Sequence, residues 1–198
     1  MSTKFEICTM AFLSIDAAPI QSFSGSTDEE IWAANMYEQV RKSELSSHYW
    51  NFNIAYSTLS RTVNTPTDAG WDYEFLPPND VLRYVQMLDS NGTQIDYEDA
   101  RGRVYSNSDT LIAKYQRDLS ESDFPPYFID ALVARIAAEA SETLSGEDRM
   151  VERMWGLYNT KHRKARRIDA RNNPSRPFIT DRNSTLIRNR FGGSLIVD

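Results

Sequence analysis

The sequence predicts an α+β fold, mainly α: an antiparallel helix bundle with a small antiparallel β region and an extended C-terminal arm. Three observations carry this. Apolar residues recur at helical spacing near the start, over 28–45, over 126–142 and from 147 onward. Between the second and third of these, short alternating runs are separated by turn signals. After residue 172 all periodicity stops, while the charge has become strongly basic.

The chain has 198 residues, room for one domain or one domain with an arm. At 40% hydrophobic and 25% charged it has the composition of a globular protein. The net charge of −6 hides a split. Residues 161–198 hold ten Lys/Arg and three acids, a surplus of +7, which leaves −13 for residues 1–160. We therefore divide the chain into a body, 1–160, and a basic helix end with a docking arm, 161–198.

The first helix is amphipathic and ends near Asp16, with Phe5, Cys8, Phe12 and Ile15 on one face. Glu6, Thr9 and Ser14 interrupt the apolar run, so it does not read as a signal peptide. Thr27 and Glu30 have capping-box spacing and open a helix over 28–45. Its stripe is Trp32, Ala33, Met36, Tyr37 and Val40. The run from His48 to Phe52, centred on Trp50, ends that pattern, and 53–62 reads as extended.

After a polar loop at 64–70, Trp71, Tyr73 and Phe75 alternate with acids, as in a half-buried strand. Residues 81–88 form a second strand, Asn91-Gly92 a turn, and 94–98 with 103–106 a hairpin about Arg101-Gly102. Residues 111–115 form one more strand, ending at Tyr115. Then Phe124-Pro125-Pro126 starts a helix, because the first helical N–H groups need no partner within it. Phe128, Leu132, Val133 and Ile136 with five alanines give that helix a wide apolar arc, which requires burial on several sides.

Gly146 caps it, and 147–170 is the last helix, with Met150, Val151, Met154, Trp155 and Tyr158 inward. Beyond Tyr158 the sequence is basic all round. Such an end is expected to project into water or against an acidic surface. The core so predicted rests on Trp32, Trp50, Tyr73, Phe75, Tyr115, Phe124, Pro125, Phe128, Leu132, Ile136 and Trp155.

Catalytic motifs are few. Two histidines, His48 and His162, and one cysteine, Cys8, show no metal-ligand spacing. No phosphate-cradling glycine loop or nucleophile elbow occurs. Asp96, Glu98 and Asp99 read as a solvated hairpin tip, with a glycosidase-type carboxylate pair as the functional alternative. The expectation is no enzyme, no cofactor, no metal and no membrane span. The strong feature is the basic arm: Arg163, Lys164, Arg166, Arg167, Arg171, Arg176, Arg182, Arg188 and Arg190, with apolar knobs at Phe178, Ile179 and Phe191. Guanidinium groups pair bidentately with carboxylates, so the arm suits an acidic protein surface. A nucleic-acid module would use the same charges on phosphates but has no need of the knobs.

The order of elements resembles the head-to-tail adaptor proteins of tailed bacteriophages, the tail tubular protein A-like or gatekeeper family of short-tailed phages. The matching residues are Ala17-Ala18-Pro19-Ile20 with Ser22-Phe23, then Ala33, Ala34 and Tyr37, then Tyr49-Trp50-Asn51-Phe52. They continue with Tyr73-Glu74-Phe75-Leu76-Pro77-Pro78-Asn79-Asp80, Leu82-Arg83, the run 112–115, Phe124-Pro125-Pro126 and the run 128–139. The resemblance spans residues 4–160; the arm matches in character rather than residues. It implies a structural virion protein in the neck, assembled in the host cytoplasm. It further implies a homo-oligomeric ring, a dodecamer, beneath the portal protein. The arm residues above would bind the portal, a tail or nozzle protein would attach below, and ejected DNA would pass in transient contact.

Overall fold

The computed structural model describes residues 3–63 and 70–172. The predicted loop at 64–70 and the arm from Arg176 to Phe191 therefore lie almost wholly outside the described residues. What is described is an α+β protein of four helices and two antiparallel sheets.

The helices are α1 (Lys4–Leu13), α2 (Asp28–Ser46), α3 (Pro126–Leu144) and α4 (Asp148–Asn172). Both N-terminal helices start on a capping box. Thr3 and Glu6 exchange hydrogen bonds at the start of α1, Thr27 and Glu30 at the start of α2. The Glu30 carboxylate also accepts from the backbone N–H groups of Gln21 and Ser22, each at 3.0 Å, and so folds the preceding loop onto the helix end. α3 begins behind Pro125, as the double proline requires, and Gly146 follows it at φ 63°, where a side chain would be strained.

α1 ends at Leu13 rather than near Asp16, which turns out of the helix at φ 59°. Its buried face is Ile7, Cys8, Ala11 and Phe12, and Phe5 is exposed. Of the predicted face, Cys8, Phe12 and Ile15 are buried and Phe5 alone is not.

The strands are β1 (Ile54–Thr58), β2 (Ser60–Arg61), β3 (Tyr73–Leu76), β4 (Val81–Leu88), β5 (Glu98–Ala100), β6 (Arg103–Ser106) and β7 (Ile112–Arg117). They form two sheets instead of one region, ordered β1-β7-β4 and β2-β3-β6-β5. Leu59 separates β1 from β2, is buried, and donates its N–H to the Leu111 carbonyl at 2.8 Å. One chain thus feeds both sheets. Their shared core holds Leu59, Phe75, Met87, Val104, Leu111, Ala113 and Tyr115. Tyr73 is half-buried and lies under the Arg61 guanidinium.

The larger core belongs to the helices. Trp32, Trp50, Phe124, Phe128, Leu132 and Ile136 are all buried in it. Trp50 is completely enclosed, with its ring edge-on to Phe128 at 5.3 Å and its Nε1–H donating to the Glu44 carbonyl at 3.0 Å. Pro125 and Trp155 are half-buried at the margin.

Candidate functional site

α3 and α4 run antiparallel, and their side-chain contacts occur in reverse order along the two chains. The Trp155 Nε1–H donates to Glu142 at 2.8 Å, and the Arg135 guanidinium lies over the Trp155 and Tyr158 rings. Lys161 stands 3.7 Å from Asp130, and the Tyr127 hydroxyl donates to Asp169 at 2.8 Å. These contacts run along α4 from Trp155 to Asp169. The basic end therefore does not project freely, as its composition suggests. Ala165 and Asp169 are buried, and α4 stays on the body to its last turn. The boundary drawn at residue 160 falls inside this helix.

Asp169 is the principal anchor. Besides Tyr127, it accepts from the Asn51 backbone N–H at 2.8 Å and from the Asn51 side-chain amide at 3.0 Å. These three donors satisfy the carboxylate oxygens that burial takes from water. Burial first, and then the Asp169 hydrogen bond and charge, hold the Tyr127 hydroxyl well above its ordinary range.

With that face turned inward, the exposed arc of α4 presents Arg163, Lys164, Arg166, Arg167 and Arg171. The structure thus places five of the predicted arm residues on the solvent-facing half of one fixed helix, a broad basic row. Arg176, Phe178, Ile179, Arg182, Arg188, Arg190 and Phe191 lie outside the described residues.

Beneath this row lies a buried polar seam. Glu44, in the last turn of α2, is 1% exposed and accepts from the Tyr158 hydroxyl at 2.8 Å. His162 stacks on the Tyr158 ring, meets the Trp50 edge, and brings Nε2 to 3.8 Å from Glu44 Oε1. Desolvation pushes the Glu44 carboxyl up to about 7, against the opposing pull of Tyr158 and Arg135. Burial, with Arg166 next in weight, depresses the imidazolium of both His48 and His162.

Two more buried polar residues escape sequence reading. Arg41 bonds Asp118 at 2.6 Å, the Leu119 carbonyl at 2.7 Å and Glu38 at 2.9 Å, locking α2 to the chain after β7. Gln116 donates to the carbonyls of His48 and Leu45 at 2.7 and 3.2 Å, and so closes the turn after α2. Neither forms a local motif. Asp169 leaves a fainter signal, since Met154, Tyr158, Ala165 and Asp169 share one helical stripe.

The remaining candidates stay apart. Asp96, Glu98 and Asp99 are exposed, and Glu98 is engaged by the Trp71 Nε1–H at 2.7 Å. Cys8 is fully buried, and desolvation pushes its thiol up to about 12, the environment of an inert thiol. Among the described residues no cluster of His, Cys, Asp and Glu could hold a metal, and no helix is long and apolar enough to cross a membrane. No protein-family model matches this chain, and the curated proteins compared with it give no match either.

Proposed function

We propose that this chain is a structural head-to-tail adaptor of a tailed bacteriophage, without catalysis. It forms a ring, with a dodecamer expected, beneath the portal protein. The ring extends the DNA channel and carries a tail or nozzle protein on its other side. In this reading the helices act as an antiparallel bundle around α3, and residues 161–198 serve as the docking arm.

One observation supports the reading above others: the exposed basic row from Arg163 to Arg171 sits on a helix whose inner face is fastened by Asp169 and Tyr158. A fixed row loses less conformational entropy on docking than a floppy one. It also leads directly into the segment bearing Arg176, Phe178, Ile179, Arg182, Arg188, Arg190 and Phe191. The test is to mix the purified protein with its cognate portal and image the product. Rings seated on the portal by the full chain, and their loss on removing 173–198, are expected. Absence of rings, or equal seating after truncation, overturns the proposal.

A nucleic-acid-binding module is the second reading, favoured by the same exposed guanidinium groups. It requires binding that weakens steeply with salt. A filter-binding titration at about 100 mM salt that shows no retention of DNA removes it.

A further inference from the structure

A groove of about 780 Å³ lies at the end of the body away from Asn172, between the turn after α1, the first half of α2 and the junction of α3 with α4. That is the size of a binding cleft. Its floor is apolar: Trp32 is buried, Met36, Leu144 and Met150 are half-buried, and Ile31 is 47% exposed. Its rim is acidic, with Asp16, Asp28, Glu29 and Glu147, and no lysine, arginine or histidine lines it. The Glu29 carboxylate accepts from the Ala18 N–H at 3.3 Å, which ties one wall to the other.

Asp28, Glu29 and Glu147 stand at helix starts, where negative charge is favoured without any ligand. That does not account for Asp16, held at φ 59° in the turn after α1, nor for the apolar floor left open between the acids. The occupant that fits carries cations on either side of an apolar group. The chain contains such a segment in Arg176-Pro177-Phe178-Ile179-Thr180-Asp181-Arg182. We propose that the groove takes Phe178 and Ile179 of a second copy of this chain, with Arg176 and Arg182 paired to its acidic rim.

Chain length requires the second copy. Met150 is the last residue of α4 to line the groove, and the helix carries the chain ~33 Å from there to Asn172. Phe178 and Ile179 follow Asn172 so closely that full extension gives them at most ~25 Å. Neither reaches back to the groove of its own chain. Between copies the attraction is general as well, since residues 1–160 carry −13 and residues 161–198 carry +7. This contact is independent of the adaptor reading, because it needs only two copies of the chain. In that reading the same residues leave the groove when the portal is present.

Sedimentation velocity of the full chain at rising concentration, in about 100 mM salt, tests the contact. The chain is expected to associate. Phe178→Ala with Ile179→Ala, in the arm, and Asp28→Lys with Glu147→Lys, on the rim, should each weaken association at least about tenfold. Leu186→Ala with Ile187→Ala, a pair far enough along the chain to serve as control, should change it less than about twofold. The rim-reversed chain, mixed with a chain carrying Arg176→Glu and Arg182→Glu, should associate again although neither does so alone. Each then offers the other a complementary arm and groove. Should the rim variant not fold, Glu147→Lys alone, at an exposed position, replaces it in both measurements. A chain that stays monomeric at every concentration overturns the proposal. So does association unchanged by the Phe178 and Ile179 substitutions, a greater loss from the Leu186 and Ile187 pair, or no association in the mixture.

Discussion

The hydroxyl of Tyr127, in the first turn of α3, donates to the carboxylate of Asp169, in the last complete turn of α4, at 2.8 Å. This bond fastens the end of the helix that composition alone assigns to solvent. Asp169→Ala removes it together with both Asn51 contacts to the carboxylate, and deprives the half-buried Tyr127 hydroxyl of its acceptor. The expected loss is about 2–3 kcal/mol of unfolding free energy, read from urea denaturation. Asp169→Asn, which keeps an acceptor, should lose less.

Arg41 makes the corresponding link on the other side of the body, and its side chain is 8% exposed. Replacing it with Met leaves Asp118 only the Lys42 ammonium, at 3.6 Å, and takes the guanidinium donor from the Leu119 carbonyl. A cost of about 3 kcal/mol is expected, in the range for breaking one partner of a buried pair. Equal urea midpoints for the two proteins would contradict this.

Glu44 sets a pH dependence whose sign is opposite to that of an ordinary salt-bridged acid. Its carboxyl is pushed up to about 7 in the folded protein from an ordinary 4.5, so the native state holds the proton more tightly than the unfolded chain does. The stability this contributes is full below about 4.5 and is lost as pH rises through about 7. Glu44→Gln, which stays neutral, is expected to raise the melting temperature at pH 8. At pH 5 the two proteins should differ little on this account. The gain at pH 8 is at most about 3 kcal/mol, since each pKa unit is worth about 1.4 kcal/mol. Thermal melts at both pH values decide it.

Trp50 joins the elements at which sequence periodicity breaks. Its ring touches Phe128, Phe52, His48 and His162, and its N–H satisfies the end of α2. Trp50→Ala leaves a cavity and removes one donor from the Glu44 carbonyl, which keeps Ser47, for an expected loss of about 3–5 kcal/mol. A loss below about 1 kcal/mol would mean that the site collapses around the smaller side chain.

The double charge reversal Arg163→Glu with Arg167→Glu should separate function from folding. Both side chains are exposed, so stability is expected to stay within about 0.5 kcal/mol. On the proposed adaptor role, docking to the portal, measured by co-sedimentation, should weaken at least about tenfold. Unchanged docking would place the contact elsewhere on the surface.

The local elements were legible in the sequence because each has a short-range cause. Thr27 with Glu30 and Pro125 with Pro126 mark helix starts, Gly146 marks a stop, and Tyr73 with Phe75 alternate as a strand must. Phe128, Leu132 and Ile136 declare a buried face by spacing alone. Two sheets were not legible, because one buried residue, Leu59, divides a continuous extended run. The exposure of Phe5 was not legible either, since every position on an apolar helix face looks alike until the neighbouring helix is placed.

The basic stretch shows the division most clearly. Sequence by itself determined that the last helix runs on to about residue 170 and is strongly cationic beyond 160, and that charge is segregated towards one end of the chain. Only the tertiary structure decided which side of that helix is free. Asp169 lies 118 positions from Asn51 and 42 from Tyr127, and Glu44 lies 114 from Tyr158. The stripe of Tyr158 and Asp169 hints that they face inward, but it does not say which distant residue each one meets, because hydrogen-bonding groups need only meet in space. Hydrophobic patterning fixes where a chain folds against itself, but the pairing of buried polar groups waits on the fold to bring them within reach.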